Sequence, residues 1–304
     1  MKVILIADSG STKTDWCAVN GEGKVIASCK TQGINPFHQS GETILGILRE
    51  ELLPGMDMLK EACDMEIFFY GSGVTEEKKP LMSGYLQSVF PHAVICCESD
   101  LLGAARASLG HQPGIACILG TGANSCLYDG EQIVMNTPPL GYILGDEGSG
   151  AYLGKQFLNA IFKNDGWKQL KEEYLAWSGL TYPDIINKVY REPLANRFLA
   201  SVAPFISQVL SRQRDGMPAE EREVVADLEQ MVVDAFGLFL EKNLRRYLDY
   251  IRSLSSPAFG DNITVGFVGS IAHHFEKQLR AAFDTIPIAK VLKSPMAGLI
   301  LYHL

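Results

Sequence analysis

Residues Val3–Ala7 form an unbroken apolar run, VILIA, which gives way to the small and polar stretch Asp8–Thr14 before apolar positions resume at Trp16. A run of that length bounded by turn formers predicts a buried strand, then a turn, then a second strand over Asp15–Val19. Asn20-Gly21-Glu22-Gly23 is rich in residues that tolerate positive φ and predicts a hairpin into a third strand, Lys24–Ser28. The period then changes. Ile44, Leu45, Ile47, Leu48 and Leu52 recur at helical spacing, which predicts a helix over Gly41–Leu53 stopped near Pro54-Gly55. Glu66–Tyr70 reads as a buried strand backed by Gly71-Ser72-Gly73, Lys79–Phe90 as a helix, Ala93–Cys97 as a strand and Asp100–Leu109 as a helix.

The opening pattern then restarts. Ile115–Leu119 is an apolar strand, Gly120–Ser125 a turn, Cys126–Tyr128 a strand, Asp129-Gly130 a hairpin turn and Gln132–Met135 a further strand. Gly10 and Gly120, which open the two turns, lie 110 residues apart. The repeat reads as a duplicated hairpin unit. From Gly150 to about residue 252 the spacing is helical, as in Leu228, Met231, Val232, Ala235, Phe236 and Phe239. A strand at Ile263–Val268 leads through Gly269-Ser270 into a helix over Ile271–Phe283, followed by a strand at Ile288–Leu292. A last helix starts at Ser294-Pro295, with Ser as cap and Pro in the first turn. This alternation predicts an α/β protein of two domains, 1–113 and 114–293. The second carries a helical insertion, and the helix 294–304 is able to pack back on the first.

Composition narrows the partners. The 304 residues are 47% hydrophobic and 20% charged, enough apolar content for two cores. A net charge of −8 supplies no basic field for nucleic acid. An anionic ligand would therefore be held by local backbone N–H groups, a few cations and a metal ion. Seven cysteines without a CxxC pair, several of them in apolar runs, suit reduced thiols in a cytoplasmic protein. No run reaches the roughly 18 apolar residues of a membrane span, and the apolar start is too short for a signal peptide.

The turn Gly10-Ser11-Thr12-Lys13-Thr14 invites comparison with a Walker A loop. That loop needs Gly before its Lys and a helix after it, whereas Lys13 follows Thr12 and a strand follows. A strand–turn–strand still offers successive N–H groups and hydroxyls to an anion, and two such turns can hold a polyphosphate from both sides. Asp8, at the end of the first strand, suits a Mg²⁺ ion held through water.

The segments IADSGSTKTDW, ESDLLGAARA (98–107), ILGTGANS (118–125), GYILGDEGSGAYLG (141–154) and VGFVGSIAHHF (265–275) together resemble the N-acetylglucosamine kinase-like branch of the sugar kinase/Hsp70/actin superfamily. They are also similar to the broader group that contains the ATPase activators of benzoyl-CoA reductase and 2-hydroxyacyl-CoA dehydratase. The resemblance implies two ribonuclease-H-like, actin-like ATPase domains around a nucleotide cleft, ATP with Mg²⁺, a small-molecule sugar acceptor and a homodimer. It assigns Asp8, Gly10, Ser11, Thr12 and Lys13 to the first phosphate motif, and Gly120, Thr121, Gly122 and Asn124 to the second. Gly269 and Ser270 fall in the adenosine motif. Asp100 falls where these kinases carry the carboxylate that takes the proton of the sugar 6-hydroxyl. Read without the family, Asp100 serves equally as the N-cap of the helix that follows. Asn35 and Asp146 match sugar contacts, and Phe37 could pack on an apolar sugar face. Leu119, Pro36 and Phe37 depart from the usual residues on the sugar side. The alternative is an activator ATPase, but the chain has Glu98-Ser-Asp-Leu-Leu-Gly103 and no Gly-Gly-Gln, and Cys96-Cys97 is a poor spacing for a cluster. A non-catalytic sugar sensor is the third class. It would call for a DNA-binding extension ahead of the first strand, or a Cys-rich segment of the zinc-containing relatives, and neither is present in the sequence.

Overall fold

The computed structural model describes residues 2–10, 12–56, 59, 64–254, 259, 263–284 and 286–304. Five strands, β1 (Lys2–Ser9), β2 (Lys13–Asn20), β3 (Val25–Gln32), β4 (Asp64–Gly71) and β5 (Val94–Ser99), form one sheet in the order β3-β2-β1-β4-β5. β1 runs antiparallel to β2 and parallel to β4. A second sheet repeats that order with β6 (Gly114–Leu119), β7 (Ala123–Tyr128), β8 (Ile133–Thr137), β9 (Val265–Val268) and β10 (Ile288–Leu292), arranged β10-β9-β6-β7-β8. In each sheet the hairpin-forming strands come first and the parallel strands are added through helices, so the restart seen along the chain is a repeat of topology.

The central strands are apolar without alternation because both of their faces are covered. Val3, Ile4, Leu5, Ile6 and Ala7 are all buried, whereas edge strand β3 leaves Val25 half exposed. The described chain divides into two compact units, one of residues 1–113, 128–133 and 294–304, the other of 114–127 and 134–293. The first unit's core joins Leu5, Trp16, Ile67 and Phe69 to Leu48, Met82 and Leu86. The second joins Leu119 and Phe267 to the helical region, through Phe157, Phe205, Phe236 and Phe239. Among the described residues, seven α-helices from Gly150–Lys163 to Arg245–Ser253 make up that region.

Several boundaries differ from the sequence expectation, each for a local reason. The first turn is shorter than Asp8–Thr14. Ser9 pairs with Thr14 in register and bonds it through the side chain, so the strands extend to Ser9 and resume at Lys13. The helix from Gly41 starts on a Ser40 cap, widens to π geometry over Ile47–Leu52 and runs through Pro54 to Gly55. The helix predicted over Ile271–Phe283 breaks at Phe275 into Ser270–His274 and Glu276–Ala282. At the C-terminal helix, Met296–Tyr302, the cap position falls on Pro295 and not on Ser294, whose Oγ accepts from Met296 N at 3.4 Å. Among the described residues no helix is long and apolar enough to cross a membrane.

Candidate active site

In the first unit the groups of interest gather where β1, β4 and β5 end. Asp8 is the penultimate residue of β1, opposite Asp15 on β2 and Tyr70 on β4. Next to it, buried Ser9 shares a 2.6 Å hydrogen bond with Thr14 Oγ1, donates to Ile34 O at 2.9 Å and accepts from Ile34 N at 3.0 Å. Gly10 N donates to Lys13 O at 3.0 Å and Gly33 N to Thr12 O at 3.2 Å, which ties the first turn to the loop that carries Asn35. Ser11 lies outside the described residues. The Lys13 ammonium is mostly exposed and paired with Asp15 on its own strand.

Asn35 is held as an Asx turn. Its Oδ1 accepts from Phe37 N at 2.9 Å, and its N–H donates to Gln39 Oε1 at 2.7 Å. The turn at Gly71-Ser72-Gly73 lies against it. Gly73 has φ of +78°, and any Cβ there would overlap the Asn35 amide. Phe37 is 63% exposed.

Asp100 opens the helix Asp100–Leu109 at the end of β5, and the capping role open to it in the sequence falls to its neighbour. Ser99 is the N-cap, its Oγ accepting from Leu102 N at 3.2 Å. The N–H groups of Asp100 and Leu101 at the helix N-terminus favour the charged form of the Asp100 carboxylate and act to lower its pKa. Burial of the carboxylate outweighs those two donors and pushes it up to about 6. Asp8 is pushed up to about 7, first by burial and then by the negative charges of Asp100 and Asp15, with Lys13 offsetting part of the rise. As whole residues Asp8 and Asp100 are only partly buried, so the burial that matters is that of their carboxyl groups.

The second unit builds a comparable turn between β6 and β7. Gly120 N donates to Gly122 O at 3.0 Å, and Gly120 O and Thr121 O accept from Gly150 N at 2.8 Å and Ala151 N at 3.1 Å at the start of helix Gly150–Lys163. Buried Asp146 sits in the left-handed region at φ 54°, and its Oδ1 accepts from Ala123 N at 3.2 Å. Its Oδ2 lies beside Gly122, where a Cβ would come within 3.0 Å of it. Burial raises its pKa, against the lowering effect of the Ala123 N–H. Gly269, at φ 129°, lets the start of helix Ser270–His274 press on the end of β6, since a Cβ there would overlap Leu119 O. Ser270 is exposed, and Leu119, the departure on the sugar side, is fully buried in the core.

Sequence reading brought out Asp8, Asp100, Asn35 and Asp146 but missed the groups that hold them. Ser9 and Thr14 looked like ordinary turn residues. Asn136 Nδ2 donates to Asn124 Oδ1 at 2.9 Å, and Tyr247 OH donates to Ser125 O at 2.9 Å. Tyr247 is separated from Ser125 by 122 residues, and no local signal in the sequence marks that pairing. Among the described residues there is no group of three or more His, Cys, Asp or Glu side chains placed to hold a metal ion. Cys96 and Cys97, successive residues of β5, point to opposite faces of the sheet.

No protein-family model matches the chain. The chain is 42% identical to a candidate N-acetylglucosamine kinase from Porphyromonas gingivalis, with a TM-score of 0.85 over 100% of this chain and 98% of that one. A curated N-acetylmuramic acid/N-acetylglucosamine kinase from Clostridium acetobutylicum is 25% identical over 216 residues, 68% of this chain and 70% of the relative. A ROK family glucokinase from Streptomyces griseus, solved with glucose and AMPPNP, shares the fold at 16% identity, with a TM-score of 0.54 over 99% of this chain and 97% of that one.

Proposed function

Because the chain belongs to the N-acetylglucosamine kinase-like family of the sugar kinase/Hsp70/actin superfamily, we propose that it transfers the γ-phosphate of ATP to the 6-hydroxyl of N-acetylglucosamine or a related amino sugar. The observation that carries this reading is Asp100. Ser99 caps the helix, so the Asp100 carboxylate is not needed for capping, and its burial raises it to about 6, a range suited to a general base near neutral pH.

In this reading Asp100 takes the hydroxyl proton as the sugar oxygen bonds to the γ-phosphorus. The bond from that phosphorus to the β–γ bridging oxygen breaks, and ADP leaves with the bond's electron pair. The turns at Gly10-Ser11-Thr12-Lys13 and Gly120-Thr121-Gly122, with Asn124, are assigned to the phosphates, and Gly269 and Ser270 to the adenosine. Asn35 and Asp146 would orient the sugar. Asp146 Oδ1 is occupied by Ala123 N–H, which leaves Oδ2 for a sugar hydroxyl.

Mg²⁺ fits the donor set. Asp8 is a desolvated carboxylate already facing the charges of Asp100 and Asp15, a situation that a divalent cation relieves. Mg²⁺ is commonly held through one or two carboxylates and water with the substrate phosphates, and needs no larger protein cage. Asp8 would hold it through water, and the ion would neutralise phosphate charge. A cytoplasmic homodimer completes the proposal, with light scattering on the purified protein as the check on its mass.

The test is a coupled ADP-release assay across hexoses and N-acetylhexosamines, N-acetylmuramic acid included. Turnover stimulated by an amino sugar is expected. Asp100→Asn should lower kcat by about 10²–10⁴-fold while the Kd for ADP stays at the wild-type value. Nucleotide binding without any sugar-stimulated turnover would remove the kinase assignment.

A further inference from the structure

The amide of Asn124 is held in one orientation, and the residue that holds it has no part in the assignments above. Asn124 Oδ1 accepts two hydrogen bonds, from Ser125 N at 2.9 Å and from Asn136 Nδ2 at 2.9 Å. An amide oxygen has two lone pairs, so both are used. Asn124 Nδ2 has no hydrogen-bond partner among the described residues.

Asn136 cannot readily turn over to exchange its own oxygen for its NH2 group. Its Nδ2 also faces Ser125 O at 2.7 Å and Thr137 O at 3.2 Å, so a flip would set its oxygen against three acceptors. The strand carrying Asn136 is itself pinned. Thr137 N donates to Tyr247 OH at 2.6 Å, and Thr137 Oγ1 donates to Asn243 O at 2.8 Å. Tyr247 OH donates in turn to Ser125 O, which closes the network on β7.

We infer that Asn136 is a positioning residue that locks the Asn124 side chain as a hydrogen-bond donor to an oxygen of the bound reactants. This rests on the kinase reading, in which Asn124 lies beside the second phosphate turn. A locked donor selects an acceptor oxygen, whether of a phosphate or of the sugar, and it disqualifies Asn124 as a metal ligand, since coordination would need the oxygen that Asn136 occupies.

Asn136→Asp keeps the shape and replaces the donor with an oxygen. Repulsion between that oxygen and Asn124 Oδ1 turns the Asn124 amide over and presents its oxygen to the reactants. Asn136→Ala removes the lock without adding charge, and Asn136 is exposed, so neither change empties a core position. Binding of ADP and AMPPNP by calorimetry, and the KM for sugar at saturating ATP, are measured for both variants, for Asn124→Ala, and for Asn136→Asp in the Asn124→Ala background.

Asn136→Asp is expected to weaken one of these parameters by about tenfold or more, and Asn136→Ala by less. A rise in nucleotide Kd places the accepting oxygen on the phosphates, and a rise in sugar KM places it on the sugar. In the Asn124→Ala background the same substitution should have a much smaller effect, because only its repulsion from Ser125 O and Thr137 O is left. An effect of equal size with and without Asn124 would show a general charge effect and overturn the inference. Wild-type values for Asn136→Asp, alongside normal nucleotide binding by the wild-type chain, would overturn it too. A wild-type chain that binds no nucleotide would remove the kinase reading and this inference together.

Discussion

Asp8 and Asp100 carry their protons at about 7 and about 6, far above an ordinary carboxylate, because burial strips water from both and Asp100 adds its charge to Asp8. A general base works only when deprotonated, so kcat/KM should fall as pH drops through the interval between about 6 and about 7. The two protons belong to the pair, and the profile reports their combined titration. An acid limb near 4 would contradict the desolvated site. The same shifts act on stability. Asp8 holds a proton up to about 7 when folded and only to about 3.9 when unfolded. Its stabilising contribution is therefore complete below about 4 and lost as pH rises through about 7. The ligand-free protein should accordingly melt at a lower temperature at pH 8 than its neutral variant Asp8→Asn, with the gap narrower at pH 5 and closing only near pH 4. Thermal melts at both pH values decide this, and a gap that does not narrow toward pH 5 would refute it. The variant gained in stability should lose turnover, since the charge that costs stability is the one proposed to serve the metal.

At the scale of elements, the helix Asp100–Leu109 is fixed by small residues at close approaches. A Cβ on Gly103 would come within 2.8 Å of the Tyr70 ring, and one on Gly298, in the C-terminal helix, would overlap Ala107 O. Arg106 Nη1 donates to Tyr70 OH at 2.9 Å, and Tyr70 OH bonds His303 Nε2 at 2.8 Å. Backbone cannot step aside as a flexible side chain can, so Gly298→Ala should cost about 1–3 kcal/mol in a urea titration. Gly84→Ala, in the helix Lys79–Val89 with open space around it, should not destabilise. Elements of this kind were legible where one face or both faces are buried along a continuous run, as in β1, β4 and β6, and the repeated hairpin was legible from its turn residues. Asp8, Asp100, Asn35 and Asp146 stood out because each lies in a motif. What stayed hidden has two causes. The Tyr247–Ser125 bond joins residues 122 apart and the Asn136–Asn124 bond spans 12 residues, so no local window contains both partners. The Ser99 cap is local, bonding Leu102 N three residues on, but adjacent Ser99 and Asp100 are both good cap formers and the sequence does not choose between them.

For the whole molecule, the two sheets have the same strand order and separate cores, yet the chain does not visit them in one pass. Residues 294–304 return to the first unit after the second is complete, and Leu299 within them is fully buried. The helix Met296–Tyr302 packs along Asp100–Leu109, so the last residues of the chain support the element that carries the proposed base. Leu299→Ala should remove about 2–5 kcal/mol from that packing. If each unit keeps its own stability, native-state hydrogen exchange will show the loss in β1, β4 and Asp100–Leu109 while β6, β9 and Gly150–Lys163 retain their protection. Phe157→Ala, in the second core, should give the reverse pattern. Uniform loss of protection in both variants would mean that the units open as one. Selective loss would instead place control of the Asp100 helix in a segment almost two hundred residues away from it in sequence.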